Sequence, residues 1–124
     1  MSPRSEELLA VARQRLEAAR SSLAQGHPEV ALSAAYYVVL YAARAALSEQ
    51  ETSAKTHSGT WTLFRETFVL PGRFDADLFS RAHAIQSRRE ASDYDAVRIS
   101  EDEAGHGVEL AASFLDAVTE LIGD

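Results

Sequence analysis

Two adjacent arginines in the second half of the chain are followed at short spacing by an acid and a tyrosine. They are Arg88 and Arg89, with Asp93 and Tyr94 behind them. Arginine presents a planar fork of N–H donors that fits a phosphate, and tyrosine presents an aromatic face for a base. The pattern is therefore typical of a nucleotide or RNA site. Cations near a helix end also stabilise the helix dipole, so a purely structural role stays open.

A short polar run at residues 55–59 combines a lysine, two hydroxyls, an imidazole and a glycine. At the start of a helix such a run can hold a phosphate through backbone N–H groups and the helix dipole. This makes Lys55 and His57 candidate phosphate-binding residues. The same run is also an ordinary helix start, in which Thr56 or Ser58 is the N-cap.

Arg44 is the only charged residue in a long apolar stretch. A buried guanidinium without a partner costs several kcal/mol, roughly 3–5. Either Arg44 reaches solvent or pairs with a carboxylate such as Glu49 or Asp93, or it lines a polar cleft. If it lines a cleft, that cleft also holds Tyr37 and Tyr41, which lie seven and three residues earlier on nearly the same helix face.

Several chemistries are excluded by residues that the chain lacks. Without cysteine there is no disulfide, thiolate zinc site or cysteine nucleophile. The four histidines are far apart, and none pairs at helical metal-site spacing. No glycine-rich phosphate loop or nucleophile elbow occurs. We therefore predict no metal and no cofactor.

The acidic N-terminus does not fit a secretory signal peptide, and no apolar run approaches the roughly 20 residues that span a bilayer. Together with the absence of cysteine, this leads us to expect a cytoplasmic protein that does not enter a membrane.

The net charge of −7 is unevenly distributed. The first 100 residues carry twelve basic and twelve acidic groups, whereas the last 24 carry seven acidic and no basic groups. A uniformly basic nucleic-acid binder is excluded, because such proteins gather lysine and arginine to neutralise phosphates. A small basic site within a neutral body is not excluded.

Alanine is abundant, and glycine and proline are few, which favours helix throughout. The second segment is apolar on nearly every face and so belongs in the middle of a bundle. The third carries Trp61, Phe64 and Phe68 at helical spacing. The result is an all-α prediction with five helices joined by short loops, at about 5–25, 28–48, 57–69, 75 to beyond 89, and 100–122.

Capping residues support these boundaries. Gly26 suits the end of the first helix, and Asp75 suits the start of the fourth. Ser100 and Glu103 have the spacing of a reciprocal capping box. The glycines at 105 and 107 then predict that the first turns of the last helix fray or pack closely.

Three stretches taken together resemble the HEPN domain family (higher eukaryotes and prokaryotes nucleotide-binding). They are residues 34–47, which include Tyr36 and Tyr37, residues 55–64, and residues 88–94. The capped start of the last helix, 99–104, follows at the expected place. The resemblance is to the small stand-alone bacterial and archaeal members, and it covers about residues 5–122.

This resemblance implies an up-and-down bundle of four long helices and one shorter helix, in a single domain over residues 1–124. It also implies a homodimer with a role involving RNA or nucleotides. Many members are metal-independent ribonuclease toxins that use an arginine, four to six intervening residues and a histidine, facing each other across the dimer. Small members are often encoded beside a minimal nucleotidyltransferase that acts as antitoxin.

The sequence departs from that catalytic pattern. With four intervening residues, Arg88 is followed by Asp93 and Arg89 by Tyr94, so the histidine is missing. Arg20 and His27 fit the spacing, but at the junction of the first two helices, and we interpret this as coincidence. Ribonuclease activity is therefore in doubt, whereas nucleotide or RNA binding is retained as a prediction. Its candidate residues are Tyr37, Arg44, Lys55, His57, Arg88, Arg89 and Tyr94.

Three hypotheses remain at this point. The favoured one is a homodimeric binding protein for a nucleotide or an RNA end, in a toxin–antitoxin-like system with a nucleotidyltransferase partner. The second is an active metal-independent ribonuclease toxin with an atypical site, in which His57 or Asp93 supplies acid–base help and Arg89 stabilises negative charge. The third is a structural helical adaptor whose arginines form only salt bridges.

Overall fold

Four long helices and one short helix form the part of the chain that the computed structural model describes, residues 1–123. No strand occurs within these residues. The all-α prediction with four long helices and one shorter helix is confirmed. Asp124, the end of the predicted domain, lies outside the described residues. The helices are α1 (Pro3–Ala24), α2 (Pro28–Glu49), α3 (His57–Phe64), α4 (Ala76–Asp95) and α5 (Glu101–Gly123).

α2 is the central helix of the bundle and packs against all four other helices. It is long and apolar enough to cross a bilayer by length and composition alone, but 67% of its most apolar window is buried inside the bundle. Its alanines carry little side-chain volume, which lets neighbouring helices approach closely. α2 is thus the buried helix that its all-round apolar sequence predicts.

The predicted caps form hydrogen bonds where the helices begin. Asp75 Oδ1 accepts the Leu78 N–H at 2.8 Å, which confirms it as the N-cap of α4. For α3 the cap is Thr56 and not Ser58, since Thr56 Oγ1 accepts the Gly59 N–H at 2.9 Å. Because this cap fixes the first turn of α3, it also fixes the position of His57.

The predicted reciprocal capping box at α5 is only half formed. Ser100 Oγ accepts the Glu103 N–H at 3.0 Å. The Glu103 carboxylate does not return to the Ser100 backbone, because it forms an ion pair with Arg88 on α4. A charged partner in a neighbouring helix replaces the local bond, since charge-assisted hydrogen bonds are the stronger ones.

The predicted third helix over residues 57–69 is not one α-helix. After Phe64 the chain widens into a π-helical turn, Arg65–Val69, in which the Leu70 N–H donates to the Arg65 carbonyl at 2.9 Å. Phe64 and Phe68 are both fully buried, with ring centroids 5.0 Å apart. A four-residue spacing of apolar side chains fits both an α-turn and a π-turn, so the sequence could not separate them.

Gly107 marks a close approach between α5 and α2. A Cβ built on Gly107 would lie 2.6 Å from Leu32 Cδ1, whereas one on Gly105 would lie 3.8 Å from its nearest neighbour, Leu23 Cδ2. The sequence predicted that the first turns of α5 either fray or pack closely, and at Gly107 they pack closely.

These two glycines give a matched pair of stability predictions. Gly105→Ala is expected to raise the free energy of unfolding by up to about 1 kcal/mol, because alanine favours helix and the space is open. Gly107→Ala is expected to lower it by about 1 kcal/mol, since the buried Leu32 must move within a packed core. Urea denaturation of both variants measures the difference. Equal effects at the two positions would contradict the close approach.

A polar network joins the start of α1 to the end of α2. Glu49 Oε2 accepts the Ser2 N–H and the Ser5 hydroxyl, both at 2.7 Å. These hydrogen bonds lower the pKa of Glu49 to about 2 from its ordinary value of 4.5. Because the folded state favours the charged carboxylate, the network stabilises the fold above the ordinary pKa and loses this effect as the pH falls towards 2.

Glu49→Gln is accordingly expected to lower the free energy of unfolding at neutral pH. The difference from the wild type should shrink as the pH falls from about 4.5 towards about 2, where both proteins carry a neutral group. Urea denaturation across this pH range measures it, with Glu66→Gln, at an exposed glutamate, as the control. A difference that stayed constant down to pH 2 would rule out the low pKa.

Candidate functional site

Side chains from α2, α3 and α4 meet in one group, which we call the central cluster: Tyr36, Tyr37, His57, Arg89 and Asp93. Tyr36 Oη lies 2.9 Å from His57 Nδ1 in a hydrogen bond whose direction depends on the imidazole tautomer. Arg89 Nη2 donates to Tyr37 Oη at 3.2 Å. Three helices thus place a cation, an imidazole and two phenols together.

Local helical geometry explains why the two tyrosines have different environments. Neighbouring helix residues point about 100° apart. Tyr36 is fully buried and packs against Trp61, with ring centroids 6.5 Å apart. Tyr37 is half-buried and meets the Tyr36 ring edge-on at 5.2 Å. Tyr36 therefore anchors the cluster in the core, and Tyr37 brings it towards the surface.

Arg89 lies between the two tyrosines, with its Cζ 5.2 Å from each ring centroid. Its side chain is 17% exposed, and its Nε lies 3.0 Å from Asp93 Oδ2. The Nε–H does not point at that oxygen, so this buried donor forms no hydrogen bond despite the short distance. An unsatisfied buried donor costs about 1–3 kcal/mol, and an incoming anion or a water can satisfy it.

His57 is kept neutral by its surroundings. Burial lowers the pKa of its imidazole below the ordinary value of 6.5, and the charges of Arg44 and Arg89 lower it further, against an opposing effect of Glu90. The lowered pKa favours the uncharged form of the imidazole. Burial also raises the pKa of the Tyr36 phenol.

The Trp61 indole is a second buried donor beside the cluster. It opposes the rise in the pKa of Tyr36, which places it near that hydroxyl. The contact lacks hydrogen-bond geometry, and Trp61 Nε1 has no partner among residues 1–123. The Trp61 side chain is buried in the core.

The charges around the cluster are mixed, with a small positive excess. Arg15 on α1 places its Cζ 5.7 Å from the Tyr37 ring centroid. With Arg44 and Arg89 it supplies three positive charges near the cluster, against the negative charges of Glu90 and Asp93. A protein with a net negative charge thus has a local basic site. The distribution of charge along the sequence did not exclude such a site.

Arg88 does not join Arg89 in the cluster. Arg88 Nη2 donates to Glu103 Oε1 at 2.9 Å, and its Nε donates to the other carboxylate oxygen. This ion pair lowers the pKa of Glu103. The Arg88 side chain turns to Glu103 on α5 and the Arg89 side chain turns to Tyr37 on α2, so within residues 1–123 the two arginines lie at different places.

The remaining predicted residues lie at different places around the cluster. Tyr94 is 78% exposed near the end of α4, and Lys55 is exposed just before the Thr56 cap. The side chains of both reach solvent. Neither forms an ion pair or an aromatic contact within residues 1–123.

Arg44 forms no ion pair with Glu49 or Asp93, so of the alternatives left open for it the pairing with these carboxylates does not occur. Glu49 is bound by the start of α1, and Asp93 lies beside Arg89. The Arg44 guanidinium packs 5.8 Å from the Tyr41 ring centroid and lines a cavity.

Two residues of this region escaped the sequence analysis as site residues. Tyr36 lies in the segment 34–47 that resembles the HEPN domain family. Its position next to Tyr37 could therefore have identified it as a candidate. Arg15 lies on the exposed side of α1, and nothing in its spacing connects it to a tyrosine on another helix. Within residues 1–123, no group of three or more potential metal-ligating side chains comes together.

The sequence profile described as HEPN domain matches residues 5–121. A Methanocaldococcus jannaschii relative named "Putative toxin MJ0142" is 30% identical over 118 residues, which cover 94% of this chain and 80% of the relative. A Gloeobacter violaceus relative named "UPF0332 protein glr0978" is 29% identical over 124 residues, covering 98% of both. A Thermotoga maritima UPF0332 protein is 29% identical over 114 residues, covering 91% of this chain and 86% of the relative.

Proposed function

The chain belongs to the HEPN domain family, and from this premise we propose that it is a toxin-like protein that binds RNA or a nucleotide through the central cluster. The observation that carries the proposal is the buried Arg89 guanidinium with an unsatisfied Nε–H. A phosphate oxygen is the acceptor that such a fork fits best.

The surroundings of Arg89 support a phosphate ligand. Arg15 adds a second cation at the Tyr37 ring, and the neutral His57 can donate or accept one hydrogen bond. Asp93 holds the guanidinium in place through a short contact while leaving its Nε–H unused. The cluster is thus arranged for one anionic group, in contrast to the long basic surface of a general nucleic-acid binder.

A second candidate function is metal-independent RNA cleavage. It is favoured by the position of His57, whose uncharged imidazole lies in the field of Arg89. A general base near neutral pH is the group that the missing motif histidine would otherwise supply. In this version His57 accepts the proton of the ribose 2′-hydroxyl as its oxygen attacks the neighbouring phosphorus, and the bond from phosphorus to the 5′-oxygen breaks. Water protonates the leaving 5′-oxygen, and Arg89 stabilises the charge that develops on the phosphate.

The partner proposals rest on the family resemblance and on the relative whose name contains the word toxin. The proposed partners are a second copy of the chain, in a homodimer, and a nucleotidyltransferase antitoxin. The proposed location is the cytoplasm. The exposed acids on α5, among them Glu109, Asp116 and Glu120, give that helix a surface suited to a basic protein partner.

The proposal is tested with a short RNA of mixed sequence, labelled at its 3′ end, in fluorescence anisotropy at several salt concentrations. We expect saturable binding that weakens as salt rises, because a few cations replace counterions on the phosphates. Absence of binding at low salt would favour the structural adaptor. Incubation with unlabelled RNA in EDTA tests cleavage, and a product that disappears in His57→Gln would support the second candidate.

A further inference from the structure

A cavity of about 330 Å³ lies between the first turns of α1, the end of α2 and the loop that follows. Its size is within the range of small-ligand sites. Its lining residues include two arginines, Arg4 and Arg44, and three residues that carry hydroxyls: Ser48, Thr52 and Ser53. No acidic side chain lines it.

Arg44 is an unusual arginine within residues 1–123, because it is half-buried and has no acidic partner. The arginines that form ion pairs in this part of the chain are Arg4, Arg20, Arg81, Arg88, Arg89 and Arg98. The nearby carboxylate of Glu49 is already bound by Ser2 and Ser5. The Arg44 charge is therefore free to act on the cavity.

The helix dipole does not balance the Arg44 charge. Arg44 lies five residues before the end of α2, and the last turn of the helix, where the dipole favours a cation, holds no basic residue.

We propose that this cavity binds a terminal phosphate group of the ligand held by the central cluster. The inference rests on the proposed function. A terminal phosphate is a dianion near neutral pH, and Arg44, which has no acidic partner, matches its charge. Three hydroxyl-bearing residues add donors for its oxygens, and Arg4 adds a second cation although it also pairs with Glu7. A concave cavity takes the end of a chain more readily than an internal phosphate, from which the chain must continue in both directions.

The cavity and the central cluster adjoin each other along α2. Arg44 lies seven residues after Tyr37, which corresponds to about 10 Å along the helix axis on nearly the same face. Burial is the main cause of the lowered pKa of His57, and the charge of Arg44 contributes to it. One short ligand can therefore contact both places, with its terminal phosphate in the cavity and a second group at Arg89.

Isothermal titration calorimetry on the full chain tests this with RNA hexanucleotides that carry a 5′-phosphate, a 3′-phosphate or neither. We expect one phosphorylated end to bind about tenfold more tightly than the unphosphorylated RNA. Arg44→Gln should remove this preference, so that the affinity for phosphorylated RNA falls to that for unphosphorylated RNA in the same variant. Arg65→Gln, at an exposed arginine outside the cavity, is the matched control and should keep the preference.

A second pair of ligands tests whether the phosphate belongs to an RNA end or to a free nucleotide. A second variant covers the case in which Arg44→Gln does not fold. AMP compared with adenosine tests a free nucleotide instead of an RNA end. Ser53→Glu places a negative charge in the cavity from an exposed position, so it should remove the preference even if Arg44→Gln does not fold. Equal affinity of wild-type protein for all three RNAs, and for AMP and adenosine, would overturn the inference.

Inorganic pyrophosphate distinguishes failure of this inference from failure of the proposed function. We expect it to shift the backbone amide resonances of Ser48, Thr52 and Ser53 in the wild type and not in Arg44→Gln. If no RNA binds but these shifts occur, the cavity is an anion site and the proposed function falls. If RNA binds and pyrophosphate leaves these amides unchanged, the cavity proposal falls and the central cluster remains.

Discussion

Replacing Arg89 with glutamine is expected to weaken RNA binding by about a hundredfold. The substitution removes the positive charge and the planar fork, and a charge-assisted contact of this kind is worth roughly 2–5 kcal/mol when one partner is removed. It also leaves Asp93 without its neighbouring cation, which adds repulsion towards a phosphate. Anisotropy titrations measure the affinity, and the salt dependence should become shallower as one phosphate contact is lost.

Arg88→Gln is the matched control, because the same change is made one residue earlier on the same helix. Arg88 is engaged by Glu103 outside the central cluster, so RNA affinity should change by less than about twofold. Arg89→Lys keeps the charge but loses the fork, and should fall between the wild type and Arg89→Gln. Equal losses from Arg88→Gln and Arg89→Gln would mean that binding follows overall charge and not the cluster.

Phe64→Ala is expected to lower the free energy of unfolding by about 3–5 kcal/mol. The Phe64 ring is fully buried and is surrounded by other aromatic rings. Its centroid lies 5.0 Å from that of Phe74 and 5.7 Å from that of Phe79, which stacks on it nearly in parallel. Removing the ring leaves a cavity at the junction of α3, α4 and α5, and total stability is commonly only about 5–15 kcal/mol.

Chemical denaturation measures this effect, with Phe64→Leu as the comparison. Leucine keeps most of the apolar volume, so its cost should be clearly smaller, about 1–2 kcal/mol. Because Phe64 ends the helix that His57 begins, Phe64→Ala should also reduce RNA binding at temperatures where the protein is still folded. A stability within about 1 kcal/mol of the wild type would contradict a central role for Phe64.

The helices and most of their ends could be predicted because those features depend on local sequence. Asp75 caps α4, Gly26 ends α1 with a φ of +83°, and the all-apolar face pattern of α2 matches its central position. These predictions need only helical periodicity and the hydrogen-bonding habits of single residues. Tertiary packing then confirmed them without changing them.

The candidate site could be predicted only in part, because it depends on which way side chains point between helices. The sequence placed Arg88 and Arg89 together, whereas the helical rotation sends one to Glu103 and the other to the tyrosines. The contact of Tyr36 with His57 joins residues 21 positions apart, and no local pattern encodes it. The sequence likewise does not show that Glu49 and Asp93, the acidic partners considered for Arg44, are bound by other residues.

The most direct test of the account is the NMR signal of the Arg89 Nε–H group as RNA is added. If the central cluster binds a phosphate, this unsatisfied donor gains an acceptor, and its resonance should move downfield and become protected from exchange with water. The Arg88 Nε–H, already bonded to Glu103, should stay where it is. RNA that binds while leaving the Arg89 signal unchanged, or that shifts the Arg88 signal equally, would contradict the assignment of the central cluster as the phosphate site.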